Sequence, residues 1–205
     1  LTVLTIAVTS TGGVQAADNH IDVLQIDGTI TPVTANYVNR GIEEAEQGGA
    51  EACIIELDTP GGLDTAMRDI VQDIVSSEIP VVVYVSPSGA RAASAGVFIT
   101  MAGHVAAMAP NTAIGAAHPV AIGGDGEAAM SEEMEEKVIN DSAAYIRSIA
   151  EGHERNIEWA EKAVRESVSA SETEAVELDV IDLVANDMDD LLNQLNGRQI
   201  VMLDD

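Results

Sequence analysis

Aliphatic residues follow two alternating patterns along the first half of the chain. Short runs at 22–26, 52–57 and 81–85 consist largely of Val, Leu and Ile, which is typical of buried β-strands. Between these runs, apolar positions recur at helical spacing from 32 to 47 and from 63 to 76. The order strand, helix, strand, helix, strand predicts a largely parallel sheet flanked by helices in an α/β fold.

The second half of the chain continues this alternation. Ser94 is predicted to open a short helix that ends at Gly103, and the apolar residues after it predict a strand at 104–108. Ser171 begins a capping-box pattern with the glutamate three residues later, which predicts a helix at 172–178. The remaining predicted elements are helices at 131–151, 156–166 and 188–196, a loop rich in Gly and Ala at 115–130, and strands at 180–184 and 198–203. No repeat or linker divides these elements, so we expect one domain.

The first residues form an apolar stretch outside this pattern. Residues 1–9 are mostly apolar and precede a small-residue segment at 14–17, which resembles the hydrophobic region and cleavage site of a secretory signal peptide. We therefore expect residues 1–17 to be a signal-peptide remnant and 18–205 to be a folded domain outside the cytoplasm. The alternative is a first β-strand. A second apolar stretch at 92–107 is shorter than the ~20 residues of a membrane span, so a buried helix and strand are expected there.

The charge of the chain restricts its partners. Thirty-five acidic residues against nine basic ones give a formal charge of −26. Such a chain has no basic patch for phosphates, which excludes nucleic acid and disfavours anionic lipid. The acidic residues are spread along the whole sequence, which argues against an acidic tail and predicts a surface adapted to high salt, with a soluble secreted surface as the alternative. Cys53, the single cysteine, lies in an apolar run and is expected to be a buried hydrophobic residue without a disulfide or metal role.

The most informative polar residues are a serine and one of only two lysines. Ser94 lies in the run AASAG, whose small residues leave room for a substrate carbonyl, and a helix starting there would direct free amides at an oxyanion. A serine becomes a nucleophile when a base takes its proton, and an amine shielded from water is such a base. Lys137 would then lie on the buried face of its helix, with the neighbouring glutamates in solvent. The alternative is a solvated lysine that counters the charges of Glu133, Glu135 and Glu136. Lys162 has the pattern of an exposed helix face.

Two further motifs could contribute to such a site. The motif DTPGG at 58–62 directly follows a predicted strand, and its glycines would let main-chain amides approach a ligand closely. His118, in the run GAAHP, is the alternative general base, and Asp58 could complete a Ser/His/Asp set with it. These patterns leave both arrangements open. The serine run differs from the Gly-x-Ser-x-Gly elbow of α/β-hydrolases, which argues against that fold.

Five motifs occur together and in order along the chain. They are LDTPGG at 57–62, SGARAASAG at 88–96, IGAAHP at 114–119, KVIN at 137–140 and NIEWAE at 156–161. This combination resembles the protease domain of the NfeD-type membrane-bound serine proteases, which are relatives of Clp protease and signal peptide peptidase A. The resemblance covers about residues 20–203 and implies a Clp/crotonase-like α/β spiral.

The resemblance also implies roles for individual residues in a serine endopeptidase. Ser94 would be the nucleophile and Lys137 the general base of a Ser/Lys dyad. The amides of Gly62 and Ala95 would form the oxyanion hole. Neither a metal nor a cofactor would take part.

The family resemblance implies a polypeptide substrate, namely an apolar segment of a stomatin-like membrane protein. The substrate-binding loops would contain Gly61 and His118. The family tends to form homodimers or higher oligomers, and its members commonly carry membrane helices and a small β-barrel domain after the protease domain. A membrane-associated, extracytoplasmic location is therefore expected for the full-length form.

Two other functions remain open at the level of sequence. A crotonase-type acyl-CoA hydrolase or isomerase would share the fold and an oxyanion hole, although coenzyme A usually binds a cationic patch that this chain lacks. A non-catalytic scaffold for membrane-protein partners would need no reactive serine. Reactivity of Ser94 towards a serine-directed probe separates the protease from the scaffold.

Overall fold

The computed structural model describes residues 20–120, 131–200 and 202. The predicted signal-peptide remnant at 1–17 and the loop residues 121–130 lie outside this part of the chain. The described strands are β1 (Ile21–Asp27), β2 (Ala52–Asp58), β3 (Val81–Val85), β4 (Arg91–Ala92), β5 (Val105–Met108), β6 (Ala113–Gly115), β7 (Ser169–Ser171) and β8 (Leu183–Val184). The described helices are α1 (Pro32–Gly48), α2 (Asp64–Val75), α3 (Ala95–Ala102), α4 (Glu132–Gly152), α5 (Ile157–Arg165), α6 (Glu172–Glu177) and α7 (Met188–Leu195).

Five of these strands form one parallel sheet in the order β1-β2-β3-β5-β8. The register places Cys53 opposite Val81, and Val83 opposite Ala106. Every residue of β3 is buried, which explains why its sequence shows no alternation of apolar and polar positions. The predicted α/β fold with a largely parallel sheet is confirmed.

Apolar side chains cover both faces of this sheet. The larger cluster contains residues of six helices, represented by Ile42, Ile70, Ile99, Ile146, Val164 and Ala175. The smaller cluster lies on the other face, where Tyr84 and Leu191 pack together and the Tyr84 hydroxyl donates to the Ala185 carbonyl at 2.9 Å. Cys53 is fully buried in the larger cluster, and burial raises the pKa of its thiol to about 12. The predicted structural role of this cysteine is confirmed.

A second sheet of three short strands lies beside the candidate site. Its order is β4-β6-β7, with β4 and β6 parallel and β6 and β7 antiparallel. The sequence did not predict these strands, because two or three residues are too few to show a period. Since β4 ends two residues before Ser94 and β6 ends directly before Ala116, this sheet fixes the main chain on both sides of the serine.

The predicted strand at 198–203 is wrong for the residues described there. Residues 198–200 are irregular, and the Arg198 amide donates to the Leu195 carbonyl at the end of α7. Ile200 packs against the smaller apolar cluster, so its hydrophobic character reflects a segment that covers the sheet. The strand predicted at 180–184 is also shorter than expected, since β8 includes only its last two residues.

Candidate active site

Ser94 is held in an unusual conformation at the start of α3. It occupies the N-cap position, but its φ of 52° and ψ of −114° are far from the extended backbone of an ordinary cap, and its side chain makes no capping hydrogen bond. A positive φ is uncommon for any residue other than glycine and is a form of backbone strain that clusters at functional sites. The Ser94 amide donates to the Ala116 carbonyl at 2.7 Å, which fixes the strained residue in place.

The two glycines of the DTPGG motif approach Ser94 and Ile30 more closely than other residues could. A Cβ atom on Gly61, whose φ is 111°, would lie 2.5 Å from the Ser94 Cβ and 3.0 Å from its Oγ. A Cβ atom on Gly62 would lie 2.0 Å from the Ile30 carbonyl oxygen. Both positions therefore require glycine, and the main chain of this motif lies directly against the serine side chain.

Two main-chain amides beside Ser94 have no acceptor among the described residues. The main-chain bonds around Gly62 run from the Ile30 amide to the Gly61 carbonyl and from the Leu63 amide to the Ile30 carbonyl, which leaves the Gly62 amide unused. Ala95 is the first residue of α3, so its amide has no partner within the helix. These free donors are suited to the binding of an oxyanion.

A cavity of about 530 Å³ opens at this point of the molecule. Ser94, Gly62 and Ala95 lie in its wall together with Lys137 of α4. The other lining residues are mostly apolar and include Leu63, Met67, Phe98, Ala117, Pro119, Val120 and Val138. The fold thus brings the predicted nucleophile, oxyanion donors and base to one apolar cavity.

Lys137 does not have the buried setting that the sequence analysis expected. Its side chain is 65 % exposed, and its Nζ donates to Glu133 Oε1 at 2.7 Å. The physical reason is that a glutamate four residues before a lysine is well placed to pair with it on a helix surface. Glu133 is itself 79 % exposed, so this glutamate lies in solvent as expected, and the lysine shares its exposed face. Lys162 is paired with Glu158 in the same way, as expected for an exposed helix face.

The alternative Ser/His/Asp arrangement is not assembled in this structure. His118 places its Nδ1 2.8 Å from the Val164 carbonyl oxygen, and it does not line the cavity. Asp58 accepts a hydrogen bond from the Arg91 amide at 3.0 Å. The segment around His118 does contribute to the cavity wall through its neighbours on both sides, Ala117 and Pro119.

Thr59 is a site residue that the sequence analysis missed. It is completely buried, and its Oγ1 accepts a hydrogen bond from the Gly61 amide at 3.0 Å. Its own amide and carbonyl bond to Arg91 and Ala93, so the DTPGG segment is joined to the segment that leads into Ser94. The sequence does contain a signal for this role, because Thr59 stands directly before Pro-Gly-Gly and after a buried strand.

Arg68 is a second residue that was missed. It lies on α2 and binds two carboxylates of the cavity wall, Asp64 at 2.8 Å and Asp141 at 2.5 Å. The spacing of Asp64 and Arg68 on one helix face was visible in the sequence, whereas the contact with Asp141, 73 residues away, was not.

Comparison with known sequences identifies the relatives of this chain. The family profile described as NfeD1b, N-terminal domain, matches residues 20–196. The membrane-bound protease PH1510 of Pyrococcus horikoshii is 45 % identical over 183 residues, which are 89 % of this chain and 41 % of the relative. The membrane protein NfeD1b of Bacillus subtilis is 29 % identical over 172 residues, which are 84 % of this chain and 37 % of the relative. The chain therefore spans about two fifths of the length of these curated relatives.

Solved structures give the same result. A serine-to-alanine mutant of the 1510-N membrane-bound stomatin-specific protease superposes with a TM-score of 0.82 at 43 % identity, over 89 % of this chain and 87 % of that one. A lysine-to-alanine mutant of 1510-N in complex with a substrate peptide also gives 0.82, at 41 % identity over 91 % and 89 % of the two chains. The fold and the family implied by the motifs are thus confirmed, and this chain belongs to the NfeD1b N-terminal domain family.

Proposed function

We propose that this domain is a serine endopeptidase with Ser94 as nucleophile and Lys137 as general base. The observation that carries the proposal is the strained Ser94, whose uncapped hydroxyl lies in one cavity with Lys137 and the unused amides of Gly62 and Ala95. The relatives support it, because 1510-N is a protease that has been studied as a serine and as a lysine mutant.

The proposed reaction begins when the neutral amine of Lys137 removes the proton of the Ser94 hydroxyl. The Ser94 Oγ then attacks the scissile carbonyl carbon, and the resulting oxyanion accepts hydrogen bonds from the Gly62 and Ala95 amides. The C–N bond breaks as the Lys137 ammonium returns the proton to the leaving amine. Water then hydrolyses the acyl-enzyme with the same base. The lysine side chain must leave Glu133 to perform this role.

The cavity favours an apolar polypeptide substrate. Leu63 and Val120 are exposed apolar residues of its wall, and Met67 and Phe98 provide buried apolar surface. We infer that the substrates are apolar segments of membrane-associated proteins of the stomatin type, as the description of 1510-N suggests. Coenzyme A fits less well, because the described cavity wall offers its phosphates a single cationic side chain, that of Lys137.

The relatives also suggest where this domain acts. PH1510 is membrane-bound and NfeD1b is a membrane protein. Within the part of the chain that the structure describes, no helix combines the length and the apolar character of a membrane span. We propose that this domain acts next to a membrane on its extracytoplasmic side, and homodimer formation remains a prediction.

Cleavage of a quenched fluorescent apolar peptide tests the proposed function. Ser94→Ala should abolish cleavage, whereas Ser148→Ala, at an exposed position of α4, should cleave like the wild type. Circular dichroism would show that both variants are folded. Equal turnover by Ser94→Ala and wild type would reject the assignment. Binding of the peptide by the wild type without any cleavage would support the scaffold function.

A further inference from the structure

Arg68 connects α2 and α4, which both contribute residues to the wall of the cavity. Its Nε donates to Asp64 on α2, and a terminal nitrogen donates to Asp141 on α4. Its guanidinium carbon lies 4.4 Å from the centre of the Tyr145 ring, which is a cation–π contact. Among the side-chain hydrogen bonds of the described residues, the bond to Asp141 is the one that joins α2 to α4.

Asp141 lies one helical turn after Lys137, and both residues line the cavity. Side chains four residues apart face each other on a helix, so the Asp141 carboxylate is within reach of the Lys137 amine. Glu133 lies one turn before the lysine and binds it in this structure. Lys137 therefore has a carboxylate on each side, and pairing with either one favours the ammonium form, which is inactive as a base.

Other elements contribute few charges to the surroundings of Lys137. From α2, Asp64 lines the same cavity and is bound by Arg68. From the residues before α3, the cavity receives the neutral hydroxyl of Ser94, and His118 is bonded to a carbonyl of α5. The charged side chains of α5 that reach α4 are already paired, namely Glu161 with Arg147 and Arg165.

We propose that Arg68 is a positioning residue that keeps Lys137 available as a base by binding the Asp141 carboxylate. This inference rests on the proposed function, because it assigns a role within the Ser94/Lys137 site. With Asp141 held by the guanidinium, Glu133 is the one remaining partner on α4 that must release the amine. Arginine suits this task because its planar group binds two carboxylates and stacks on an aromatic ring at the same time.

The test is the pH dependence of kcat/KM for the apolar peptide. Arg68→Gln releases Asp141 to pair with Lys137, so the acid limb of the profile should move to higher pH by about 0.3 unit, the effect of one exposed ion pair on a helix. In Arg68→Gln combined with Asp141→Asn, the limb should return to its wild-type position. Arg147→Gln removes the same charge from the part of α4 that faces Glu161, and it should leave the limb in place.

The variant that combines Arg68→Gln with Asp141→Asn distinguishes a role of Arg68 in positioning from a purely structural role. An acid limb that does not move in Arg68→Gln, or one that moves equally in the double variant, would overturn the proposal. If Arg68→Gln does not fold, Arg68→Lys provides the same comparison, because one ammonium cannot bridge both carboxylates and a smaller shift should disappear with Asp141→Asn.

Failure of this inference is distinguishable from failure of the proposed function. If the wild type cleaves the peptide and Ser94→Ala does not, the Ser94 assignment stands whatever the Arg68 variants show. If the wild type itself neither cleaves the peptide nor reacts at Ser94, the proposed function fails and the role of Arg68 fails with it.

Discussion

The backbone of Ser94 explains why its hydroxyl is free for chemistry. An ordinary N-cap serine has an extended backbone and uses its oxygen to accept from an amide of the first helical turn. At Ser94 the positive φ removes that bond, and the contacts with Ala116 and Gly61 hold the residue in place. The strained conformation of Ser94 is therefore maintained by the two segments that pack against it.

Thr59 provides the first prediction at this scale. Thr59→Val keeps the shape of the side chain but removes the oxygen that accepts from the Gly61 amide. We expect a loss in kcat of about 10-fold or more with a smaller change in KM, because displaced oxyanion donors act mainly on the transition state. Steady-state kinetics would show this. Thr59→Ser should recover most of the activity, and an equally slow Thr59→Ser would indicate that the hydroxyl is not the important group.

The sequence predicted part of the candidate site for identifiable physical reasons. Ser94, Gly61 and Gly62 stand out because small residues at a strand end or a helix start let a ligand approach the main chain closely. Arg68 could not be recognised, since its role depends on Asp141, which is close in space and distant in the chain. Burial of Lys137 was a requirement of the dyad and not a property of its local sequence, and the alternative of a solvated lysine paired with Glu133 is the one that the structure shows.

At the scale of elements, prediction succeeded where the apolar pattern was long. The helices and the strands β1, β2, β3 and β5 lie within a residue or two of their predicted bounds. The capping box of α6 is present, with Ser171 and Glu174 bonded to each other's backbone as expected. The three strands of the second sheet were missed because their positions depend on tertiary contacts around Ser94 and not on a periodic pattern.

The end of α4 and the start of β5 meet at a buried polar cluster. The rings of His104 and His153 are 6.0 Å apart, and neither Nε2 atom has a hydrogen-bond partner among the described residues. Arg155 lies beside them, where it donates to the carbonyls of Met101 and Gly103 and pairs with Asp182 at 2.7 Å. This cluster joins the end of α3 to the segments that follow α4 and precede β8.

The cluster predicts a loss of stability in acid. Burial, followed by the charge of Arg155 and the nearby His104, lowers the pKa of His153 to about 4. The unfolded chain binds a proton at this residue below its ordinary pKa of about 6.5, whereas the folded chain does not until about pH 4. The free energy of unfolding should therefore fall as the pH is lowered from about 6.5 to about 4, by ~2 kcal/mol after allowance for partial exposure.

Urea unfolding across this pH range checks the prediction by comparing the wild type with His153→Gln. The variant should lose less stability than the wild type between the two pH values, because glutamine does not titrate. His20→Gln, at a partly exposed histidine outside the cluster, is the matched control and should follow the wild type. If the free energy of unfolding fell by the same amount with pH in the wild type and in His153→Gln, the role of His153 in acid destabilisation would be contradicted.

The whole molecule carries a charge of −26, which makes self-repulsion a general property of its surface. Salt screens such repulsion, because the Debye length falls from about 10 Å at 0.1 M to about 3 Å at 1 M. We expect the Tm to rise by about 5 °C between these KCl concentrations, which corresponds to one or two kcal/mol for a domain of this size. Differential scanning calorimetry measures it directly.

Charge removal provides the control for this salt effect. Glu43 and Glu44 are neighbouring exposed residues of α1, far from the cavity in sequence and absent from its wall. Replacing both by glutamine should raise the Tm at low salt and reduce its dependence on KCl. A wild-type Tm that is independent of salt would show that self-repulsion is not a significant term in the stability of this protein.

The central claim is that Lys137 activates Ser94, and the rate of reaction with a fluorophosphonate probe measures this most directly. The wild type should form an adduct that mass spectrometry locates at Ser94, and Lys137→Met should react at least ~100-fold more slowly, the usual contribution of a general base. Lys162→Met should react like the wild type. Labelling of Lys137→Met at the wild-type rate, or an adduct at another residue, would contradict the account.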